Sequence, residues 1–165
     1  MSLPCWSLKL TFSLLLLVAS SAVTAGLVAR EPADEQSGAN LLLNPGFDSV
    51  EGWGSWASGF ELTSEGREGS ACARLSPPSD NVETGISQSL TFDQPVQAPI
   101  LASAWSKAED VTGPANPGYS VYLDIEYADG DNLWGQTAAF APGTHDWQQA
   151  HVMVFPTKPV KRVTM

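Results

Sequence analysis

The side chains best suited to chemistry cluster in one alternating run, Tyr119-Ser-Val-Tyr-Leu-Asp-Ile-Glu-Tyr127. Tyr119, Val121, Leu123, Ile125 and Tyr127 fall on one face of an extended chain, while Tyr122, Asp124 and Glu126 fall on the other. Period-two alternation buries one face and leaves the other to water or a ligand. A face carrying Tyr, Asp and Glu at alternate positions does not belong to a core. Trp105 shares a face with Lys107, and Trp134 with Gln136, on two further runs. Trp56 sits in Gly-Ser-Trp-Ala-Ser-Gly, a loop-like setting suited to the rim of a site. Flat rings lie under the C–H faces of a neutral sugar, and carboxylates and amides bond its hydroxyls. Trp105, Tyr122, Asp124, Glu126, Trp134 and Gln136, with Trp56 at the edge, are therefore the candidate platform for a hydroxyl-rich ligand. That reading requires one exposed sheet surface to hold them all.

Other chemistries have less support. Glycoside hydrolysis needs two carboxylates at a fixed separation, one with a raised pKa. Asp and Glu are plentiful, but no pair is singled out. The chain has no Gly-x-Ser-x-Gly elbow, phosphate loop or dinucleotide fingerprint. His145 and His151 are six residues apart with no ligand pattern around them, so zinc is not expected. His145 reads as a turn residue steadied by Thr144 and Asp146. Trp53 and Trp147 read as core. With 8 Lys and Arg against 18 Asp and Glu, the formal net charge is −10, which disfavours nucleic acid and anionic membrane surfaces. An extracellular structural or adhesion domain remains the non-binding alternative, and a fragment of a glycoside hydrolase the catalytic one.

The elements that must position these residues are short and β-like. The chain has 165 residues, 14 of them Gly and 12 Pro, which is frequent punctuation. No long helical period occurs. Strands are expected at 86–92, 100–107, 119–127, 133–140 and 147–155, with shorter ones at 41–43, 60–63 and 71–75. Asp129-Gly130 supplies a hairpin turn, Pro142-Gly143-Thr144 another, and 108–118 a loop. Residues 159–165 read as an incipient strand. The expected fold is an all-β sandwich of two antiparallel sheets.

Residues 1–25 read as a secretory signal. Lys9 precedes the apolar stretch around Leu14-Leu15-Leu16-Leu17, and Val23 and Ala25 fit the small residues of a cleavage site. That stretch is shorter than the roughly 20 residues of a spanning helix. Residues 26–39 read as a flexible leader, and residues 40–165 as the sandwich. Cleavage takes Cys5 away and leaves Cys72 alone, as a small core residue in a strand.

The opening Asn40-Leu-Leu-Leu-Asn-Pro-Gly-Phe-Asp48, followed by Gly52-Trp53, resembles that of jelly-roll carbohydrate-binding modules grouped as families four, nine and twenty-two. Ala104-Trp-Ser-Lys-Ala-Glu109 resembles their central strand and its exit loop. The run from Tyr119 through Thr144-His-Asp-Trp147 is similar to a variety found in secreted polysaccharide-active proteins. The resemblance spans roughly residues 40–165. It implies a secreted, non-catalytic module that binds a poly- or oligosaccharide and can accompany a glycoside hydrolase. It also implies a structural calcium held by Asp48, Glu68 and Ser70. Calcium takes six to eight oxygens, and Asp48 has a shorter arm than the Glu usual at its position. Such modules close with an aromatic-x-Asp-Asp-apolar strand, which this sequence does not contain, so the expected sandwich is incomplete at its C-terminal side.

Overall fold

The computed structural model describes residues 5–7 and 40–165, except 58, 78, 80 and 81. Among these the chain is almost entirely β, with one 3-10 turn at Arg67–Gly69. The strands are β1 (Cys5–Ser7), β2 (Gly54–Ala57), β3 (Phe60–Thr63), β4 (Cys72–Leu75), β5 (Thr84–Ser87), β6 (Ser89–Val96), β7 (Ile100–Val111), β8 (Ser120–Tyr127), β9 (Asn132–Ala139), β10 (Gly143–Val154) and β11 (Val160–Thr164). They form a five-stranded sheet ordered β10-β7-β1-β4-β3, a four-stranded sheet ordered β6-β11-β8-β9, and the pair β2-β5. Every pairing is antiparallel.

One apolar core joins the two larger sheets. Ile100, Ala102, Ala104 and Ala108 of β7 and Val152 and Val154 of β10 meet Val121, Leu123 and Ile125 of β8 and Val160 and Val163 of β11. The sets on β7, β8 and β10 come from alternate positions, so the pleat delivers each to one side, while a register shift between Val160 and Arg162 brings both β11 valines to the core. Alanines along β7 leave room for the larger side chains opposite. Tyr119 lies in the same core, where its hydroxyl and that of Ser106 share a hydrogen bond of 2.7 Å. Tyr119 and Tyr127 are both buried, as the alternation of the run predicts.

The opening motif is not a strand. Residues 42–44 form bends, and the Gln88 side chain stands in for a neighbouring strand. Its amide accepts from Leu43 N–H at 2.7 Å and donates to Leu43 C=O at 2.9 Å. Asn44 and Phe47 take positive φ angles of 52° and 58°. This tight reversal drives Phe47 into the core, with its ring centroid 4.9 Å from that of Trp53. Trp53 donates from Nε1 to the Asn44 carbonyl at 2.9 Å, which ties the motif to its own following turn.

Several boundaries differ from the sequence reading. β7 runs on to Val111 and β10 begins at Gly143, so the expected loop and turn are partly strand. A register shift in β10 between His145 and Gln148 absorbs the irregularity. The final residues form a central strand, β11, between β6 and β8. Residues read as a cleaved signal contribute β1, which pairs with both β4 and β7. Cys72 is wholly buried, as expected, but it is disulfide-bonded and not a lone thiol. The chain's other cysteine, Cys5, opens the strand beside β4. No described helix is long and apolar enough to cross a membrane.

Candidate functional site

Strand β8 presents Tyr122, Asp124 and Glu126 on the outer face of the four-stranded sheet, because Val121, Leu123 and Ile125 between them are buried. Tyr122 is 44% exposed. Across from it, β9 carries a bulge. Leu123 lies opposite Gln136 and Ile125 opposite Leu133, so Trp134 and Gly135 together face the single residue Asp124. Asp124 Oδ1 accepts the Gly135 N–H at 2.9 Å, which holds the bulge to β8. Gly135 takes φ 67°, and a Cβ there would meet the Tyr122 hydroxyl at 3.5 Å. The phenol is thus folded over the glycine.

Tyr122 is hydrogen-bonded to Asp124, and its pKa is raised, first by desolvation and then by that carboxylate. Trp134 follows the inward Leu133 and turns outward, 59% exposed. Two rings and a carboxylate thus share one corner of this face. The same row continues across the sheet through Thr164, opposite Asp124, and Ser89, opposite Thr164. The hydroxyls of Ser89 and Thr164 bond at 2.7 Å.

Trp56 joins this surface from the side. It lies opposite Gly85 in the β2-β5 pair, and a Cβ at Gly85 would come within 3.1 Å of its ring. A side chain there would push the indole away from β5 by a few tenths of an ångström. Ile86, Gln88 and Leu90 point inward, so Gly85, Ser87 and Ser89 share the outer side with Thr164 and Asp124. Trp56 is 59% exposed and lies in a strand, where the sequence suggested a loop. Tyr122 and Gly85 extend past the Asp124 row toward the same end of the sheet, since β6 and β8 both pair antiparallel with β11.

Three of the expected residues do not contribute as predicted. Trp105 is on β7, in the other sheet, opposite Gln149 of β10. Its neighbours Ala104 and Ser106 are buried, so its ring lies on the far outer surface of the molecule, with the Arg67 guanidinium 4.3 Å from the ring centroid. The single surface expected to hold every candidate therefore does not exist. Gln136 sits opposite buried Leu123, on the core side of the β8-β9 pair, because the bulge reverses its facing relative to Trp134. Its side chain returns to the Trp134 carbonyl at 3.0 Å. Glu126 is on the expected face, but its oxygens are taken, by Lys161 at 3.0 Å and Arg162 at 2.7 Å. The Lys161 hydrogen bond foremost, and the two positive charges with it, hold the Glu126 carboxyl below its usual range.

The residues assigned to calcium are all exposed, Asp48 on the opening turn and Glu68 and Ser70 in and beside the 3-10 turn. Glu68 bonds Arg67 at 2.6 Å, and Ser70 Oγ donates to the Arg67 carbonyl at 2.7 Å. Asp48 is exposed on the opening turn, where its backbone N–H is held by Asn44. Among the described residues, no three His, Cys, Asp or Glu side chains gather as metal ligands. Of the histidines, His145 is in β10, not in a turn, with Nδ1 2.7 Å from the Asp146 carbonyl oxygen, and His151 is exposed on β10. Trp147 is half-buried and lies outside the core cluster, whereas Trp53 is buried in it.

Sequence reasoning passed over Gly135, Ser89 and Thr164. A glycine inside a strand pattern is a known sign of a bulge or of close approach, and Gly135 carried that sign. Ser89 and Thr164 had none, because their place depends on where β11 inserts. No family model matches the chain, and no curated protein matches it.

Proposed function

We propose that the protein is a secreted, non-catalytic carbohydrate-binding module of jelly-roll type, which takes a neutral poly- or oligosaccharide on the outer face of its four-stranded sheet. The reading is carried by the corner where Tyr122 and Trp134 flank the Asp124 carboxylate, with Trp56 on the same side. Exposed rings offer apolar faces to sugar C–H groups, while Asp124 and the hydroxyl pair Ser89 and Thr164 offer acceptors and donors to sugar hydroxyls. The resemblance of the opening motif to carbohydrate-binding modules supports the same assignment. Glu126 has a different role: neutralised by two cations, it braces β8 against β11. Its lowered pKa is the reverse of what a general acid in glycoside hydrolysis needs. Trp105 has no part in this site.

Affinity electrophoresis of the exported protein through gels of soluble glucan, xylan and mannan tests the proposal. Retardation on at least one gel is expected, abolished or weakened by Trp134→Ala and unaffected by Trp105→Ala. A folded sample that no gel retards overturns it, and release of reducing sugar from the same polymers would assign a hydrolase instead.

A further inference from the structure

The row that crosses the four-stranded sheet at Asp124 runs through Ser89, Thr164 and the bulge residues Trp134 and Gly135, so Asp124 is its only charged side chain. The carboxylate is half-buried, and its bonds come from neutral donors, the Gly135 N–H at 2.9 Å and the Tyr122 hydroxyl. Among the described residues, every Lys and Arg is ion-paired to some other carboxylate. Lys161 and Arg162, the cations of the adjoining strand β11, are both held by Glu126. Two carboxylates on one strand face are thus treated differently. Glu126 has two cations of the protein's own, and Asp124 has none.

A carboxylate offers about four lone-pair positions, so two donors leave Asp124 able to accept from a ligand. A charged N–H donor makes a stronger bond there than a neutral hydroxyl. The flanking rings favour the same charge. The face of Trp attracts an ammonium best among the aromatic side chains, and Tyr attracts it too. Trp134 is 59% exposed and Tyr122 is 44% exposed, one on each side of the carboxylate. Opposite residues of an antiparallel pair have their Cβ atoms about 5 Å apart, so one sugar unit can reach both a ring and the carboxylate. A neutral unit gains C–H contact and hydroxyl bonds at this corner. A unit carrying an ammonium gains in addition the pull of the carboxylate and of the ring faces. The excess of 18 Asp and Glu over 8 Lys and Arg draws such a ligand toward the protein.

We infer that the corner formed by Tyr122, Asp124 and Trp134 is an ammonium subsite, and that its ligand is a polysaccharide bearing protonated amino groups, one of which binds Asp124 against the Trp134 ring. The inference rests on the carbohydrate reading, in which neutral units lie on the rings, and adds a charged unit to it.

Calorimetric titration of the exported protein with a short glucosamine oligomer, and with the same oligomer fully N-acetylated, tests the subsite. The two share a backbone and differ in charge. The titrations are run at mildly acidic pH, where the amines are protonated and Asp is ionised. The amine oligomer should bind about tenfold more tightly, the ratio expected from one ion pair and one cation–π contact, and added salt should shrink that ratio. Asp124→Asn should abolish the preference, because Asn keeps an oxygen for the Gly135 N–H and loses the charge. Trp134→Ala, which leaves Asp124 in place, should weaken both oligomers and reduce the ratio. Asp93→Asn removes a charge from an exposed position on β6 of the same sheet and should leave the ratio unchanged. Equal binding of the two oligomers overturns the inference alone. A preference that survives Asp124→Asn, or that Asp93→Asn lowers as much, overturns it in favour of general attraction to an acidic surface. Oligolysine bound as tightly, with the same dependence on Asp124, overturns the assignment to a sugar. Failure to bind either oligomer overturns the subsite as well, and the neutral gels then show whether the carbohydrate reading falls with it.

Discussion

At the scale of single residues, the site depends on rings whose positions follow from backbone detail. Trp134 faces outward only because a bulge sets it and Gly135 opposite Asp124. Truncation of Trp134 or Tyr122 to Ala should weaken sugar binding by roughly tenfold, about 1.4 kcal/mol, measurable by affinity electrophoresis or calorimetry. Gly135→Ala should weaken it as well, because an L-residue at φ 67° is strained and would disturb the bulge that sets Trp134. Tyr119 governs a separate property. Burial lifts its phenol from 10.0 to about 12, against the opposing effect of the Ser106 bond. A raised folded-state pKa stabilises fully below the unfolded value and ceases to do so as pH climbs through the folded one. The protein should therefore lose up to about 2–3 kcal/mol of stability between about pH 10 and 12 through this group. In denaturant titrations across that range, Tyr119→Phe should flatten the loss, although it starts lower at neutral pH with Ser106 left unpaired. The alternation that buries Tyr119 and exposes Tyr122 was legible in the sequence. The different fates of Trp134 and Gln136 were not, since one bulge residue separates their facings.

At the scale of elements, side chains complete what strands leave unfinished. The Gln88 amide pairs with both backbone groups of Leu43 and is itself buried. Gln88→Ala should cost about 1–3 kcal/mol in chemical denaturation, through two lost bonds and the loosened opening loop. The β8-β9 hairpin is held differently. Lys158 bonds both Asp129, at 2.8 Å, and Asp131, and these bonds raise its pKa and lower that of Asp129. All three groups are solvent-exposed, so Lys158→Met should leave the denaturation midpoint nearly unchanged, with any difference shrinking at high salt. The turn itself was readable from Asp129-Gly130, because its chemistry is local. The strand that Gln88 imitates was read as real from the apolar run Leu41–Leu43, and only the absence of a pairing partner corrects it.

At the scale of the whole molecule, the two outer surfaces of the sandwich are distinct. One carries Tyr122, Asp124, Trp134 and Trp56; the other carries Trp105 under Arg67, beside exposed His151 and Met153 of β10. Chelator should leave the melting curve unchanged, as should Asp48→Ala in its response to chelator, because Glu68 and Ser70 are committed to bonds within their own turn. A fall in melting temperature in chelator would restore a structural calcium.

The amino-acid order alone determined the β class, most strand positions, the buried face of the Tyr119 run and the core place of Trp53. Those features arise from period-two alternation and from turn residues acting over a few positions. Only the tertiary structure decided that Trp105 belongs to a different sheet from Tyr122, that Gln136 turns inward, that residues 160–164 enter between β6 and β8, and that β1 lies between β4 and β7. Each of these depends on which strands pair across long stretches of chain, and alternation, which is the same on every strand, carries no label for its partner.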